Sequence, residues 1–128
     1  MKLLLDTHTL LWFVENDLKL TAAAVNLLVD PGNDLLLSPV SYGELAIKIS
    51  IGKYRLSDPL GDYIEEAIRL YGLAILPITV AHAEAVVSLP HHHKAPFDRM
   101  LIAQSIVEDV ALVSSDEAFD AYSVTRLW

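Results

Sequence analysis

Three acidic residues each come shortly after an apolar run that predicts a buried strand. In parallel sheets the carboxyl ends of the strands meet at one edge, where loops lead into helices and where ligands bind. Carboxylates gathered there would lie close together, and in a chain without cysteine they favour Mg²⁺ or Mn²⁺ over zinc. We therefore predict a divalent-metal site whose ligands include acids after separate strands: Asp6, Glu44 and Asp116.

A fourth acid, Asp98, lies in the first turn of a helix that Pro96 is expected to begin. Simple alternation of strands and helices does not bring Asp98 to the same edge, because another helix precedes it. The intervening loop, residues 90–95, could extend to roughly 20 Å and return the chain over the site. The spacing permits Asp98 to join the other acids and does not require it.

Each acid also has an ordinary structural explanation. Asp6 or Thr7 can cap the helix that follows, and Ser41 with Glu44 matches the S-x-x-E capping box. The other two acids suit the positive end of a helix dipole. Three of these acids are expected at one edge of the sheet, and this shared position favours a metal site over unrelated helix caps.

Hydroxyl and basic side chains close to these acids in sequence could support such a site. Hydroxyls beside metal ligands orient them through hydrogen bonds, and basic groups bind phosphate oxygens. The predicted orienting residues are Thr7, Ser114 and Ser115, and the predicted phosphate contacts are Arg99 and Lys94. The alternative for the basic residues is a solvated position near a helix start.

A run of histidines, His91–His93, invites a zinc proposal. Adjacent loop residues rarely aim three imidazoles at one ion, and no cysteine or spaced histidine assists, so the sequence does not favour zinc. His8 lies close to Asp6 in sequence, but a role in packing or at the helix start explains it better than substrate contact.

The elements that position these residues follow from the hydrophobic runs and their punctuation. Thr21 is expected to cap a helix that Pro31–Gly32 stops, and Pro59 opens a helix that Gly72 closes. Strands alternating with helices predict one three-layer α/β/α domain over residues 1–128, with a mainly parallel central sheet. The predicted strands lie within residues 2–5, 35–37, 73–78, 110–113 and 122–127.

The first predicted helix carries the consecutive apolar residues Leu10–Val14. Consecutive residues point around the whole helix circumference, so they are difficult to bury within one domain. Part of this segment is expected to face a protein partner.

The composition of the chain limits which functions are possible. The 128 residues are 53% hydrophobic with a formal net charge of −8, which excludes a disordered chain and opposes nucleic-acid binding through a broad basic surface. Cations held by the acids would reverse the local potential, so any RNA affinity should depend on metal. Without cysteine, and without an apolar stretch of about 20 residues, a cytoplasmic protein with no membrane span is expected.

Four short motifs span essentially the whole chain: Leu5-Asp6-Thr7-His8, Ser41-x-x-Glu44, Pro96-Phe97-Asp98-Arg99 followed by Leu101–Gln104, and Ser114-x-Asp116-x-x-Phe119. Together they resemble the PIN-domain family, and more narrowly the VapC-type toxins of toxin-antitoxin pairs. The resemblance implies a Mg²⁺- or Mn²⁺-dependent endoribonuclease, usually dimeric, that a cognate antitoxin protein inhibits. With all four acids placed at one site, we expect Asp6 and Asp98 to bind the ion directly and Glu44 and Asp116 to complete the site directly or through coordinated waters. Members of this family often have Thr at the position of Ser114, a departure that keeps the hydroxyl.

Three other classes of protein are alternatives to a nuclease. A phosphorylation-dependent receiver module also has a parallel sheet and an acidic pocket, but the chain lacks paired acids after its first strand and an acceptor Asp in Leu76-Pro77-Ile78. A haloacid dehalogenase-type phosphotransferase requires Asp-x-Asp where this chain has Asp6-Thr7-His8. A non-catalytic interaction domain of the same fold is the remaining alternative, and retention of all four acids opposes it.

Overall fold

The computed structural model describes residues 1–128, and in it two helices separate each strand from the next over the first four strands. No helix is both long enough and apolar enough to cross a membrane. The strands are β1 (Lys2–Leu5), β2 (Asp34–Leu37), β3 (Ala74–Ile75), β4 (Ala111–Val113) and β5 (Arg126–Leu127). The helices are α1 (Thr7–Val14), α2 (Ala22–Val29), α3 (Pro39–Ser50), α4 (Leu60–Tyr71), α5 (Val80–Ser88) and α6 (Pro96–Glu108), with a short 3-10 helix at Glu117–Ala121.

The five strands form one sheet in the order β3-β2-β1-β4-β5, and every neighbouring pair is parallel. The predicted three-layer α/β/α architecture is thereby confirmed. The strand order reverses between β1 and β4, and such a reversal opens a crevice at the carboxyl ends of the strands. Receiver modules use the order 2-1-3-4-5, so the receiver alternative is wrong.

Both faces of the sheet are covered because side chains alternate along each strand. Leu3 and Leu5 of β1 lie in a core on one face, formed largely with residues of α1, α2 and α4. Leu4 lies in a second core on the other face, with Leu101 and Ile102 of α6. All three β1 leucines are fully buried, as expected for the central strand of a sheet covered on both sides.

Helix boundaries follow the predicted signals closely. The Thr21 side chain accepts from the main-chain N–H of Ala24 to cap α2, and Gly72 ends α4 in the left-handed conformation at φ 63°. A strand forms within residues 73–78 as predicted, but the expectation that it is a buried strand is wrong. Only Ala74–Ile75 pairs, and both residues are exposed, because β3 has a single neighbour at the sheet edge.

The apolar segment Leu10–Val14 is partly covered inside the chain, since Leu10 and Leu11 are buried while Trp12, Phe13 and Val14 pack on the same core and stay partly exposed. That the exposed part faces a protein partner stays a prediction. Trp12 packs against Trp128 with ring centroids 5.8 Å apart, and Phe13 packs against Tyr71 at 4.6 Å. These aromatic contacts cover the sides of α1 that the sheet does not reach.

Candidate active site

A cleft of about 360 Å³ lies at the carboxyl edge of the sheet, where the strand order reverses between β1 and β4. All four acids singled out by the sequence lie in it, although they come from the beginning, middle and end of the chain. The cleft is lined by Asp6, Thr7, His8, Glu44, Lys48, Ala95, Asp98, Ser115 and Asp116.

Asp6 ends β1 and caps α1, and both of its carboxylate oxygens are fixed. Oδ1 accepts from the main-chain N–H of Thr9 at 2.8 Å, and Oδ2 accepts from the buried Ser114 hydroxyl at 2.5 Å. The Ser114 oxygen in turn accepts from the main-chain N–H of Asp116 at 3.0 Å. A carboxylate oxygen has two lone pairs, so this capping role leaves Asp6 able to bind a cation.

Glu44 lies in the second turn of α3, one turn into the helix. The capping box predicted for Ser41 and Glu44 is wrong, because the Ser38 side chain caps α3 and Ser41 is buried inside it. The Thr7 hydroxyl donates to Glu44 Oε1 at 2.6 Å, and Lys48 Nζ lies 3.3 Å from Oε2. The carboxylate is therefore oriented toward the cleft from two sides.

The loop before α6 returns the chain to the cleft, so Asp98 joins the other acids. Arg99 holds this loop in place. Its guanidinium is buried and donates to main-chain carbonyls, so the prediction that Arg99 contacts substrate phosphates is wrong. The acceptors are the carbonyl oxygens of Val86, Leu89, Pro90 and His93.

Two residues of the site were missed in the sequence. Lys48 follows Glu44 by four residues on one helix, a spacing that predicts an ion pair and could have revealed it. His93 brings Nε2 to 3.0 Å from Asp98 Oδ2 and 3.9 Å from Asp116 Oδ2. No spacing rule indicates which histidine of a loop run turns inward.

The remaining predicted residues divide between the cleft and its surroundings. Ser115 and His8 line the cleft, and the His8 ring also packs against Trp12 at 5.5 Å. Lys94 is exposed and lies in a neighbouring groove with His91, outside the acidic cleft.

The surroundings of Asp98 raise the pKa of its carboxyl group. Partial burial raises the pKa of Asp98, His93 lowers it, and the negative charges of Glu44, Asp116 and Asp6 raise it further. A bound cation would stabilise the charged form of carboxylates that repel one another in a partly buried cleft. With oxygen donors and no thiolate, the residues fit a hard divalent ion such as Mg²⁺ or Mn²⁺.

Burial of the Asp98 carboxylate, together with repulsion from the neighbouring acids, predicts that Asp98→Asn stabilises the metal-free protein. The pKa of Asp98 is raised on folding, so its contribution to stability is present below the unfolded pKa of about 3.8 and is lost as pH rises through the folded pKa. In EDTA at pH 7 we expect the variant to melt a few degrees above wild type, roughly the shift that 1 kcal/mol produces. The difference should shrink toward pH 4.

Thermal melts from pH 4 to pH 8 would check this prediction. Asp62→Asn provides the matched control, because Asp62 occupies the first turn of α4 and is exposed. A melting temperature for Asp98→Asn at or below wild type across this range would contradict the prediction that the Asp98 charge destabilises the metal-free fold.

Comparison with known proteins supports the fold and gives the family. The PIN domain family matches residues 3–124. No curated protein matches the chain in sequence. Among solved structures, VapBC2 from Rickettsia felis bound to a DNA fragment from its promoter is similar with a TM-score of 0.74 and 15% identity, over 99% of this chain and 98% of that one.

Two further solved structures are similar over nearly the whole chain. VapBC-1 from nontypeable Haemophilus influenzae gives a TM-score of 0.66 at 19% identity, covering 99% of this chain and 97% of that one. FitAcB from Neisseria gonorrhoeae gives 0.67 at 17% identity, covering 98% and 96%. The family match covers most of the sequence and agrees with the parallel sheet and its acidic cleft, so this chain belongs to the PIN domain family.

Proposed function

We propose that this chain is a metal-dependent endoribonuclease that hydrolyses phosphodiester bonds of RNA. The observation that carries the proposal is the convergence of Asp6, Glu44, Asp98 and Asp116 in one open cleft. Neither core packing nor helix capping requires four acids from distant parts of the chain to meet. Membership of the PIN domain family agrees with a nuclease.

The four carboxylates would contact the cation in two ways. Asp6 and Asp98 would bind it directly, and Glu44 and Asp116 would complete the site directly or through waters. Thr7 orients Glu44, and the buried hydroxyl beside Asp6 does the same for that carboxylate. A bound Mg²⁺ or Mn²⁺ supplies a Lewis acid that activates water and neutralises the charge developing on the phosphate.

Substrate binding must overcome the negative charge of the protein. The formal net charge is −8, so RNA phosphates would be repelled from the cleft in the absence of a cation. Lys48 is the basic residue that lines the cleft, and Lys94 lies in the groove beside it. RNA binding is therefore expected to require the divalent ion and to weaken as salt increases.

We further infer a toxin role, with an antitoxin protein as inhibitor, a homodimeric assembly and a cytoplasmic location. The similar solved structures carry names of toxin-antitoxin complexes, including one from Klebsiella pneumoniae. Large apolar side chains left mostly exposed at Leu18, Val80 and Val87 offer surface for such contacts. A monomer that co-purifies with no protein from its native host would contradict this part of the proposal.

The nuclease itself is tested by incubating purified protein, freed of any bound inhibitor, with a mixed pool of cellular RNA. Fragments are expected with Mg²⁺ or Mn²⁺ and not with EDTA, and the ends of the fragments would identify the target. Cleavage that persists in EDTA would contradict the metal mechanism. No cleavage under any metal would favour the non-catalytic interaction domain.

A further inference from the structure

We propose that His93 is a positioning residue that holds the Asp98 carboxylate in the geometry needed for cation binding. The inference rests on the proposed cation site and adds a residue to it. Imidazole Nε2 lies 3.0 Å from Asp98 Oδ2, within hydrogen-bond distance, and the ring is only partly exposed. His91 and His92 of the same run are exposed, so only the third histidine turns inward.

The main chain fixes where this imidazole lies. The main-chain N–H of His93 donates to the Tyr122 hydroxyl at 2.8 Å, and that hydroxyl donates to the Pro90 carbonyl at 2.9 Å. The Phe119 ring lies beside the imidazole, with centroids 6.2 Å apart. The Arg99 guanidinium binds carbonyls of the same loop. The orientation of His93 is therefore set by the fold and does not depend on Asp98 alone.

The second ring nitrogen decides the chemistry that His93 can perform. The main-chain N–H of Ala95 donates to Nδ1 at 3.3 Å, so Nδ1 presents a lone pair. In a neutral imidazole the proton must then reside on Nε2, the nitrogen that faces Asp98. His93 is thereby a hydrogen-bond donor to Asp98 Oδ2.

Distances alone would also allow His93 to be a metal ligand. Ligand atoms of His93, Asp98 and Asp116 all lie within 4.8 Å of one another, close enough to share one ion. A histidine that binds a metal normally donates its other N–H to an acceptor, which fixes the ring for coordination. Here the other nitrogen faces a donor, and this contact favours the hydrogen-bonding role over coordination.

A hydrogen bond from His93 would affect how the Asp98 carboxylate binds a cation. It holds one oxygen of Asp98 and leaves the remaining lone pairs of the carboxylate for a cation. Neighbours that hydrogen-bond to metal ligands typically contribute about 10- to 100-fold to metal affinity. Because the donor does not touch the ion, it should strengthen Mg²⁺ and Mn²⁺ binding to similar extents.

Calorimetric titration of Mg²⁺ and Mn²⁺ into wild type and variants tests the proposal without using activity. His93→Ala is expected to lower the affinity for both ions by about 10- to 100-fold. His93→Gln, whose amide can donate from nearly the same place, should recover most of the lost affinity. His91→Ala is the matched control and should bind both ions as wild type does, and circular dichroism would verify that each variant is folded.

Several outcomes would overturn the positioning role. Unchanged or tighter binding by His93→Ala would show that the donor does not help to hold the cation. Loss of Mn²⁺ affinity far beyond the loss for Mg²⁺, with imidazole nitrogen coupling in pulsed EPR of the Mn²⁺ complex, would make His93 a ligand. If wild type bound neither ion, the proposed nuclease would fail as well, whereas cation-dependent RNA cleavage by wild type together with wild-type cation affinity in His93→Ala would overturn only this inference.

Discussion

Asp98→Asn is expected to lower metal-dependent RNA cleavage by about 10³-fold, because the electrostatic stabilisation that one charged group supplies in an active site is of roughly this size. Asn keeps the shape of the side chain and can still accept from His93, but it lacks the negative charge that holds a divalent ion. Initial cleavage rates on one RNA pool at saturating Mn²⁺ would measure the loss.

The control for this prediction is Asp62→Asn, the exposed acid in the first turn of α4. It removes the same charge from the same position in a helix, so it should cleave RNA at the wild-type rate. The thermal melts show whether Asp98→Asn is folded at the assay temperature, and slow cleavage by folded protein cannot be attributed to unfolding. Equal rates for Asp98→Asn and wild type would contradict the proposed role of the cleft.

The second large effect concerns stability. Arg99→Ala is expected to reduce the free energy of unfolding by about 3–5 kcal/mol, because a buried guanidinium bound to several carbonyls leaves those acceptors unsatisfied when it is removed. Arg99→Lys should recover little, since a single ammonium cannot reproduce the planar fork. Urea unfolding followed by circular dichroism would measure both variants.

Arg69→Ala is the control for the second prediction, because Arg69 is an exposed arginine paired with Glu66 on the surface of α4. It should leave the unfolding midpoint nearly unchanged. If Arg99→Ala unfolded at the same urea concentration as wild type but cleaved no RNA, Arg99 would be acting on substrate, as its sequence context first suggested.

Strand ends were the predictable part of the site. Asp6 and Asp116 follow strands that lie next to each other where the sheet order reverses, so an argument from alternation alone could bring them together. Asp98 could not be placed in this way, because the loop path is decided by tertiary contacts of Arg99. Only the resemblance to a family indicated that Asp98 belongs with the others.

Errors in the sequence interpretation share a physical cause, since a residue type does not reveal its surroundings. Arg99 was predicted to be a basic side chain open to phosphates or solvent, but it is buried against carbonyl groups. The sequence pattern does not show how the apolar segment Leu10–Val14 is buried, and in the fold aromatic residues distant in sequence cover part of it. The wrong N-terminal cap of α3 has a different cause. Ser38 followed by Pro39 is a recognisable helix start, but the match of Ser41 and Glu44 to the capping box was preferred to it.

The most direct test of the account is the position of a bound cation, measured by anomalous diffraction from crystals grown with Mn²⁺. We predict an anomalous peak inside the cleft, at about 2.0–2.3 Å from carboxylate oxygens of Asp6 and Asp98. The peak should vanish in Asp98→Asn crystals grown under the same conditions. A peak found only elsewhere on the surface, or no peak at saturating Mn²⁺, would contradict the claim that these carboxylates form the active site.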